Sequence, residues 1–266
     1  LKLTADHKVY TVNRGFVPAA ELTQDDHVCL PSRPVGQIKE PANREFYQLL
    51  GIYLGDGSGS GGVVQLTMDK AEESVLQKMA EYCSYAFEKK THQNRGTVVA
   101  WTSTTSKINI AAKDAVARIS EFVDLSQKSH EKGISEEMLN LGLGEQKYIL
   151  QGIFTTDGTV ANYGKKSQYV ALDSTSLRLL KGVQVMLLGF GIKSKIYNNR
   201  RAGKLVSMLP DGKGGMKEYN VKEMHSLRIS RSSRVLFEGL IGFMPESEKN
   251  AKLSELNLSV STYTDK

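Results

Sequence analysis

One pattern, used twice, limits this chain more than any other: an apolar helical run that stops at an acid followed by glycine. Phe46–Gly57 (Phe-Tyr-Gln-Leu-Leu-Gly-Ile-Tyr-Leu-Gly-Asp-Gly) and Tyr148–Gly158 (Tyr-Ile-Leu-Gln-Gly-Ile-Phe-Thr-Thr-Asp-Gly) both carry it, and their acids, Asp56 and Asp157, lie 101 positions apart. The segments downstream of the two runs match as well. A Val/Thr/Tyr-rich strand (63–68; 169–174) leads to an amphipathic helix (73–88; 176–189). Two further strands (97–102 and 107–110; 193–198 and 224–230) lead to another helix (114–123; 233–243). Matching elements in matching order make an internal repeat, and the chain is expected to form an α+β domain of two pseudo-twofold halves. Aligning Phe122-Val123-Asp124-Leu125 with Leu240-Ile241-Gly242-Phe243 gives an offset of 118, and the surplus has a visible source. Arg200–Asn220, with Arg201-Ala202-Gly203 and Pro210-Asp211-Gly212, reads as a hairpin-like excursion found only in the second copy.

The two runs predict more than secondary structure. Gly51 and Gly55 lie four apart on one helix, as do Gly152 and Thr156 on the other, so each presents a stripe of small residues. Packed backbone to backbone, the helices would bring Asp56 near Asp157. Two carboxylates held together away from water repel and lose hydration unless a cation or proton neutralises them. Oxygen ligands select hard divalent ions, Mg2+ first. A metal between paired acids beside a basic surface is what phosphodiester hydrolysis needs, since the ion polarises the phosphate and lowers the pKa of an attacking water. The alternative on these residues alone is that each Asp-Gly merely ends a buried helix.

Charge supplies the basic surface. The chain has 266 residues and a net charge of +6, and the excess sits in the second half, where Thr159–Met244 carries 15 basic and 5 acidic residues. Such a segment suits a polyanion, most simply nucleic acid, although a solvated basic face would look the same. With 40% apolar residues the chain has ample material for a core and is not expected to be disordered. Two cysteines, Cys29 and Cys83, exclude a disulfide scaffold and a four-cysteine zinc site, and both are expected as buried small apolar residues. No stretch has the length of a membrane span, and Leu1-Lys2-Leu3-Thr4 does not read as a signal peptide. The expectation is therefore a cytoplasmic or nuclear protein, not a secreted one. A first residue other than Met suggests a piece of something longer.

The residues of the two runs carry a family resemblance. Leu49–Gly57 and Leu150–Gly158 resemble the paired nine-residue signatures of LAGLIDADG homing endonucleases, with Gly51, Asp56 and Gly57, and Gly152, Asp157 and Gly158, at the most demanding positions. The resemblance spans about residues 46–255. It implies two αββαββα halves forming a saddle whose sheets lie in the DNA major groove. It further implies catalytic metal on Asp56 and Asp157, helped by the carbonyls of Gly55 and Thr156, with Mg2+ or Mn2+ active and Ca2+ a non-cleaving substitute. The family usually places a basic residue at the end of the last strand of each half, and the repeat alignment sets Lys113 opposite Arg231 there. Arginine stays protonated, so Arg231 would stabilise charge but serve poorly as a base, and unequal half-sites would follow.

Strand side chains alternate faces, so each strand offers about every second residue to a groove. Expected base or phosphate contacts are Gln65, Thr67, Gln93, Arg95, Trp101 and Ser103 in the first half, although Trp101 equally suits a core. In the second half they are Lys165, Gln168, Lys193, Lys195, Tyr197, Asn198, Arg200, Arg201 and Arg228, with Lys204, Lys213 and Lys217 of the excursion extending the footprint. Two unequal halves imply a long, asymmetric double-stranded target read by a monomer.

Ahead of the repeat, Leu3–Thr11, Gly15–Leu22 and Asp25–Pro31 read as short strands and turns, and Pro31, Pro34, Gly36 and Pro41 punctuate a linker. Thr4 and His7 suit an ordinary turn before a strand. With their flanks, these residues also resemble the second conserved block of an intein splicing (Hint) domain, in which the matching Thr and His activate the amino-terminal scissile peptide bond. The chain opens with Leu1 and closes on Thr264-Asp265-Lys266, without the terminal nucleophile or His-Asn of a complete intein, so it is not expected to splice. The expected organisation is thus a small all-β splicing segment and linker (1–40), two LAGLIDADG halves (41–147 and 148–258), and a lead (259–266) toward further splicing blocks of a host-embedded protein. The leading functional expectation is a metal-dependent, site-specific double-strand DNA endonuclease. The rival is a catalytically degenerate DNA-binding or maturase-like protein, against which both acids, and the splicing-like block, count.

Overall fold

In the computed structural model the described residues are 3–87, 99–100, 102–164, 167–200, 206–210 and 215–259. A small hairpin comes first: β1 (Lys8–Thr11) pairs antiparallel with β2 (Gly15–Pro18), and Thr11 bridges to Val28. Gly15 takes φ +70°, the left-handed conformation this turn requires. Arg14 holds the adjoining loop by a two-pronged ion pair to Asp26, at 2.7 and 2.6 Å.

The first half then runs α1 (Arg44–Asp56), β3 (Gly57–Ser60), β4 (Val63–Asp69), α2 (Glu73–Ala86), β5 (Val99–Ala100), β6 (Thr105–Ile110) and α3 (Lys113–Ser120). A short α4 (Glu136–Leu139) leads to the second half: α5 (Leu143–Asp157), β7 (Gly158–Asn162), β8 (Gln168–Ser174), α6 (Leu177–Gly189) and β9 (Lys195–Tyr197). A protruding hairpin of β10 (Val206–Pro210) and β11 (Met216–Asn220) precedes β12 (His225–Ser230), α7 (Arg231–Leu240) and α8 (Lys249–Leu258). The sheets have equivalent orders, β3-β4-β6-β5 and β7-β8-β12-β9, with every pairing antiparallel.

Alternation builds both layers. In β4 and β6 the buried residues Val64, Leu66, Met68, Ile108 and Ile110 turn toward the helices, as Val170, Leu172, Leu227 and Ile229 do in the second sheet. One continuous apolar core joins the halves. At the centre α1 crosses α5 with almost nothing between them. A methyl group added to Gly51 would lie 2.1 Å from the Ile149 carbonyl oxygen, and one added to Gly152 would lie 2.3 Å from that of Gln48. The interdigitated backbones therefore need glycine at both positions, which is the backbone-to-backbone packing expected from the small-residue stripes.

The fold departs from the sequence expectation in specific places. Each half has the four strands of the αββαββα order that the resemblance implies; the apolar pattern alone reads three, because β3 and β7 begin directly at the glycine that ends each motif helix. The helix carrying the second motif starts at Leu143, ahead of the boundary at 148. Cys83 is buried as expected, and burial pushes its thiol up to about 12. Cys29 is exposed, contrary to the expectation of a buried residue. No helix among the described residues is long and apolar enough to cross a membrane.

Candidate active site and nucleic-acid face

Each motif helix ends at its acid because the next residue, Gly57 or Gly158, turns extended and starts a strand. A methyl group on Gly55 would lie 2.0 Å from Thr156 Oγ1 and 3.3 Å from Asp157 Oδ2, so the carboxylate of one helix sits against the last turn of the other. The acids are shifted in the direction that crowding dictates. Burial, then the neighbouring Asp56, pushes Asp157 up to about 7, against the opposing pull of Lys132 and Lys249. Burial also raises Asp56, with the same two lysines opposing it.

Those lysines are the part of the site that sequence reading missed. The Lys132 ammonium donates to the carbonyls of Tyr53 (2.7 Å) and Gly57 (2.6 Å), with a longer contact to Gly55 (3.5 Å). The Lys249 ammonium donates to the carbonyls of Thr155 (2.5 Å) and Thr156 (3.0 Å). Each therefore caps the carboxyl end of one motif helix, where unpaired carbonyls and the helix dipole favour a cation. Burial lowers the Lys132 ammonium to about 8, with Asp157 and Asp56 opposing, and lowers Lys249 likewise against Glu72, Asp157 and Asp56. One signal could have found them: Lys132 and Lys249 lie 117 positions apart, one less than the offset at Phe122 and Leu240.

Lys113 and Arg231 occupy different places. Both are exposed at the first positions of α3 and α7, and the cations acting on the acids are Lys132 and Lys249. Strand register also moves their pairing. Val64 faces Ile110 and Val170 faces Ile229, which aligns Arg231 with Ala112 rather than with Lys113. Arg231 has φ +53°, a conformation that costs a non-glycine residue about 1–2 kcal/mol.

Two carboxylates with adjacent carbonyl oxygens form a hard, all-oxygen donor set that suits Mg2+. Among the described residues there is no cluster of three or more His, Cys, Asp or Glu side chains, so the remaining positions would fall to water and to oxygens of a substrate. That is the usual way Mg2+ is held on phosphate substrates, and the residues fit the ion.

The sheet faces turned away from the helices differ. In the first half this face shows Gln65 and Thr67 of β4 beside Asn109 and Lys107 of β6, with Gln65 donating to Asn109 at 2.8 Å. Ser103 is exposed in the bend before β6. The second face shows a row crossing three strands: Tyr169 of β8, Arg228 of β12, and Tyr197 and Lys195 of β9. Lys193 and Arg231 join Lys195 and Arg228 around a cavity of about 250 Å3. Gln168 starts β8 and donates to Asn162, Asn198 and Arg200 are exposed beyond β9, and Lys217 lies exposed on β11. Gln93, Arg95, Trp101, Lys165, Arg201, Lys204 and Lys213 lie outside the described residues. Thr4 and His7 flank an exposed turn before β1, with the His7 amide donating to the Thr4 carbonyl at 3.2 Å.

Residues 144–242 match the family model of the LAGLIDADG-like domain. This match covers α5 through α7, with Asp157 inside it. The homing endonuclease I-DmoI, solved in complex with DNA and Ca, has a similar fold: its TM-score is 0.51 at 14% identity, over 80% of this chain and 98% of that one. The fold is thus that of a LAGLIDADG homing endonuclease. Among curated proteins the chain is 28% identical over 257 residues to the ribonucleoside-diphosphate reductase NrdEB subunit alpha of Bacillus subtilis (strain 168), covering 91% of this chain and 23% of that protein. It is 25% identical over 228 residues to the replicative DNA helicase DnaB of Nostoc sp., covering 84% of this chain and 25% of that protein. The chain therefore spans about a quarter of these relatives.

Proposed function

We propose that this chain is a site-specific double-strand DNA endonuclease of the homing type, acting as a monomer with divalent metal. The observation that carries the reading is the pair of desolvated acids at the ends of two helices in backbone contact, each with a lysine at its own helix end. Asp56 and Asp157, with the carbonyls of Gly55 and Thr156, would hold Mg2+ or Mn2+, with Ca2+ as a non-cleaving substitute. When bound, the metal supplies charge neutralisation at the phosphate and an acidified water. Lys132 and Lys249 hold positive charge beside the acids, where negative charge builds on a phosphate under attack. A lysine lowered to about 8 by burial can also exchange a proton near neutral pH. Lys113 and Arg231, exposed at the first turns of α3 and α7 just past the last strands, serve as phosphate contacts in this reading. The two sheet faces, with the expected contacts at Gln65, Thr67, Ser103, Gln168, Lys193, Lys195, Tyr197, Asn198, Arg200 and Arg228, lie along the duplex, which places the protein with DNA in cytoplasm or nucleus.

We further infer that residues 1–40 belong to the splicing domain of an intein embedded in a host protein, with Thr4 and His7 helping to activate its amino-terminal scissile bond. Two facts support this. The chain resembles one segment in both a reductase subunit and a helicase, as an inserted element would. The amino-terminal segment exposes Tyr10, Val12, Phe16, Val28 and Leu30, an apolar surface that a two-stranded hairpin cannot cover itself.

Incubating the chain with a randomised double-stranded DNA library, with Mg2+ and with EDTA, and sequencing the cut ends tests the reading. Metal-dependent cutting at one long asymmetric site is expected. Enrichment of a bound site that is never cut would leave a DNA-binding protein whose acids are structural.

A further inference from the structure

We propose that Arg228 is a preformed guanine reader in the second half-site, held by two tyrosines so that only its hydrogen-bonding edge faces the groove. The inference rests on the DNA-binding part of the proposed function and goes beyond it by assigning one residue to one base.

β12 is an inner strand, flanked by β8 and β9. Its residues Leu227 and Ile229 are wholly buried toward the helices, so Arg228 between them emerges on the opposite face. From one side Tyr169 of β8 places its ring centroid 4.2 Å from the Arg228 Cζ; from the other, Tyr197 of β9 does so at 4.8 Å. The row continues outward, with Tyr163 against Tyr169 at 6.3 Å and the Lys195 ammonium 5.2 Å from the Tyr197 ring. The register leaves Ala171, a side chain of one carbon, opposite Arg228. A bulky partner there would fill the space the guanidinium uses.

A guanidinium with an aromatic ring close on each side offers its hydrogen-bond donors chiefly in its own plane. The Arg228 Nε is buried and, among the described residues, finds no acceptor for its proton. The ring contacts that flank the guanidinium are those of Tyr169 and Tyr197, and the side chain borders the open cavity shared with Lys193, Lys195 and Arg231. In the major groove the in-plane acceptor pair that matches an arginine fork is O6 and N7 of guanine. A central position on the sheet, away from its rim, suits a base edge, whereas the flexible Lys193 and the exposed Arg231 suit phosphates. The clamp also removes side-chain freedom before binding, so less is lost on contact.

Binding selection from a randomised duplex library with Ca2+, then sequencing, tests this on the whole chain. The unaltered protein is expected to enrich guanine at one position of the second half-site, with about tenfold or greater discrimination. Arg228→Gln should erase that preference, or turn it toward adenine, while other positions keep theirs. Tyr169→Leu and Tyr197→Leu should weaken the same column several-fold, Tyr169→Phe should not, and Lys193→Gln should weaken all sequences alike. Melting curves confirm that each variant is folded. A uniform loss for Arg228→Gln, with every base preference intact, makes it a phosphate contact and overturns the proposal. So does an absence of DNA binding, which would sink the DNA reading as well. Sequence-selective binding without Mg2+-dependent cutting would remove only the nuclease assignment, and the guanine column would still decide for or against the clamp.

Discussion

The two halves share a fold and diverge on the face they present. In the first, the centre of the face turned away from the helices carries the amides of Gln65 and Asn109, joined by a hydrogen bond, with Thr67 and Lys107 beside them. In the second, the positions equivalent by register to Gln65 and Asn109 are Ala171 and Arg228, and the arginine lies between the rings of Tyr169 and Tyr197. At the helix ends the divergence vanishes: an acid, a small residue and a lysine recur on both sides of the axis. Under the proposed function the chemistry would demand a symmetric junction, while the sheet faces would be free to diverge.

The sharpest way to break the comparison is at the junction itself. Gly51→Val and Gly152→Val should each destabilise the chain by about 3 kcal/mol or more, because the obstructing atoms are backbone and cannot move aside. An unchanged melting temperature for either would mean the helices do not cross at this distance. Next come the acids. Asp56→Asn and Asp157→Asn should each abolish double-strand cleavage while DNA binding persists, and a fully active double variant would remove the metal assignment. Third, Lys132→Met and Lys249→Met should slow cutting by about a hundredfold. Lys113→Met and Arg231→Met should lower the rate less and flatten the salt dependence of binding instead. Equal rate losses in all four would blur the distinction between helix-end cations and surface ones.

The smallest effect is one of pH and stability in metal-free protein. Asp157 titrates near 7 when folded against 3.8 ordinarily, so between these values the folded state binds more protons than the unfolded one. Stability should therefore fall as pH rises through that window. Asp157→Asn should remove this slope and raise the melting temperature above pH 7. A melting temperature that instead rises with pH across the window in the unaltered chain, and is unaffected by the substitution, would contradict the crowding of the two acids.

Much of this was legible because the repeat imposes itself at every level. Glycines four apart, an acid at the same position and a glycine after it suffice to predict two helices in close contact and a charge problem at their ends. The strands β3 and β7 were not legible, since Gly-Ser-Gly-Ser and Gly-Thr-Val-Ala-Asn carry little apolar alternation; they exist because each is pinned to a stronger strand. Lys132 and Lys249 sit in or beside irregular segments, where no periodicity marks a buried lysine. Their partners are backbone carbonyls, which have no sequence signature. Cys29 shows the converse: a residue type commonly buried is exposed here, because the few strands and turns around it do not enclose it.

The glycine contact between α1 and α5 has one more consequence, and it concerns measurement rather than stability. Two helices that touch through their backbones have no slack, so the gap between the carboxylates at their ends is a fixed length. If the proposed function holds, that length would select which phosphate on each strand meets an acid. The offset between the two cuts would then be gauged by the glycines, and it would stay constant however far the sheet faces drift toward new targets.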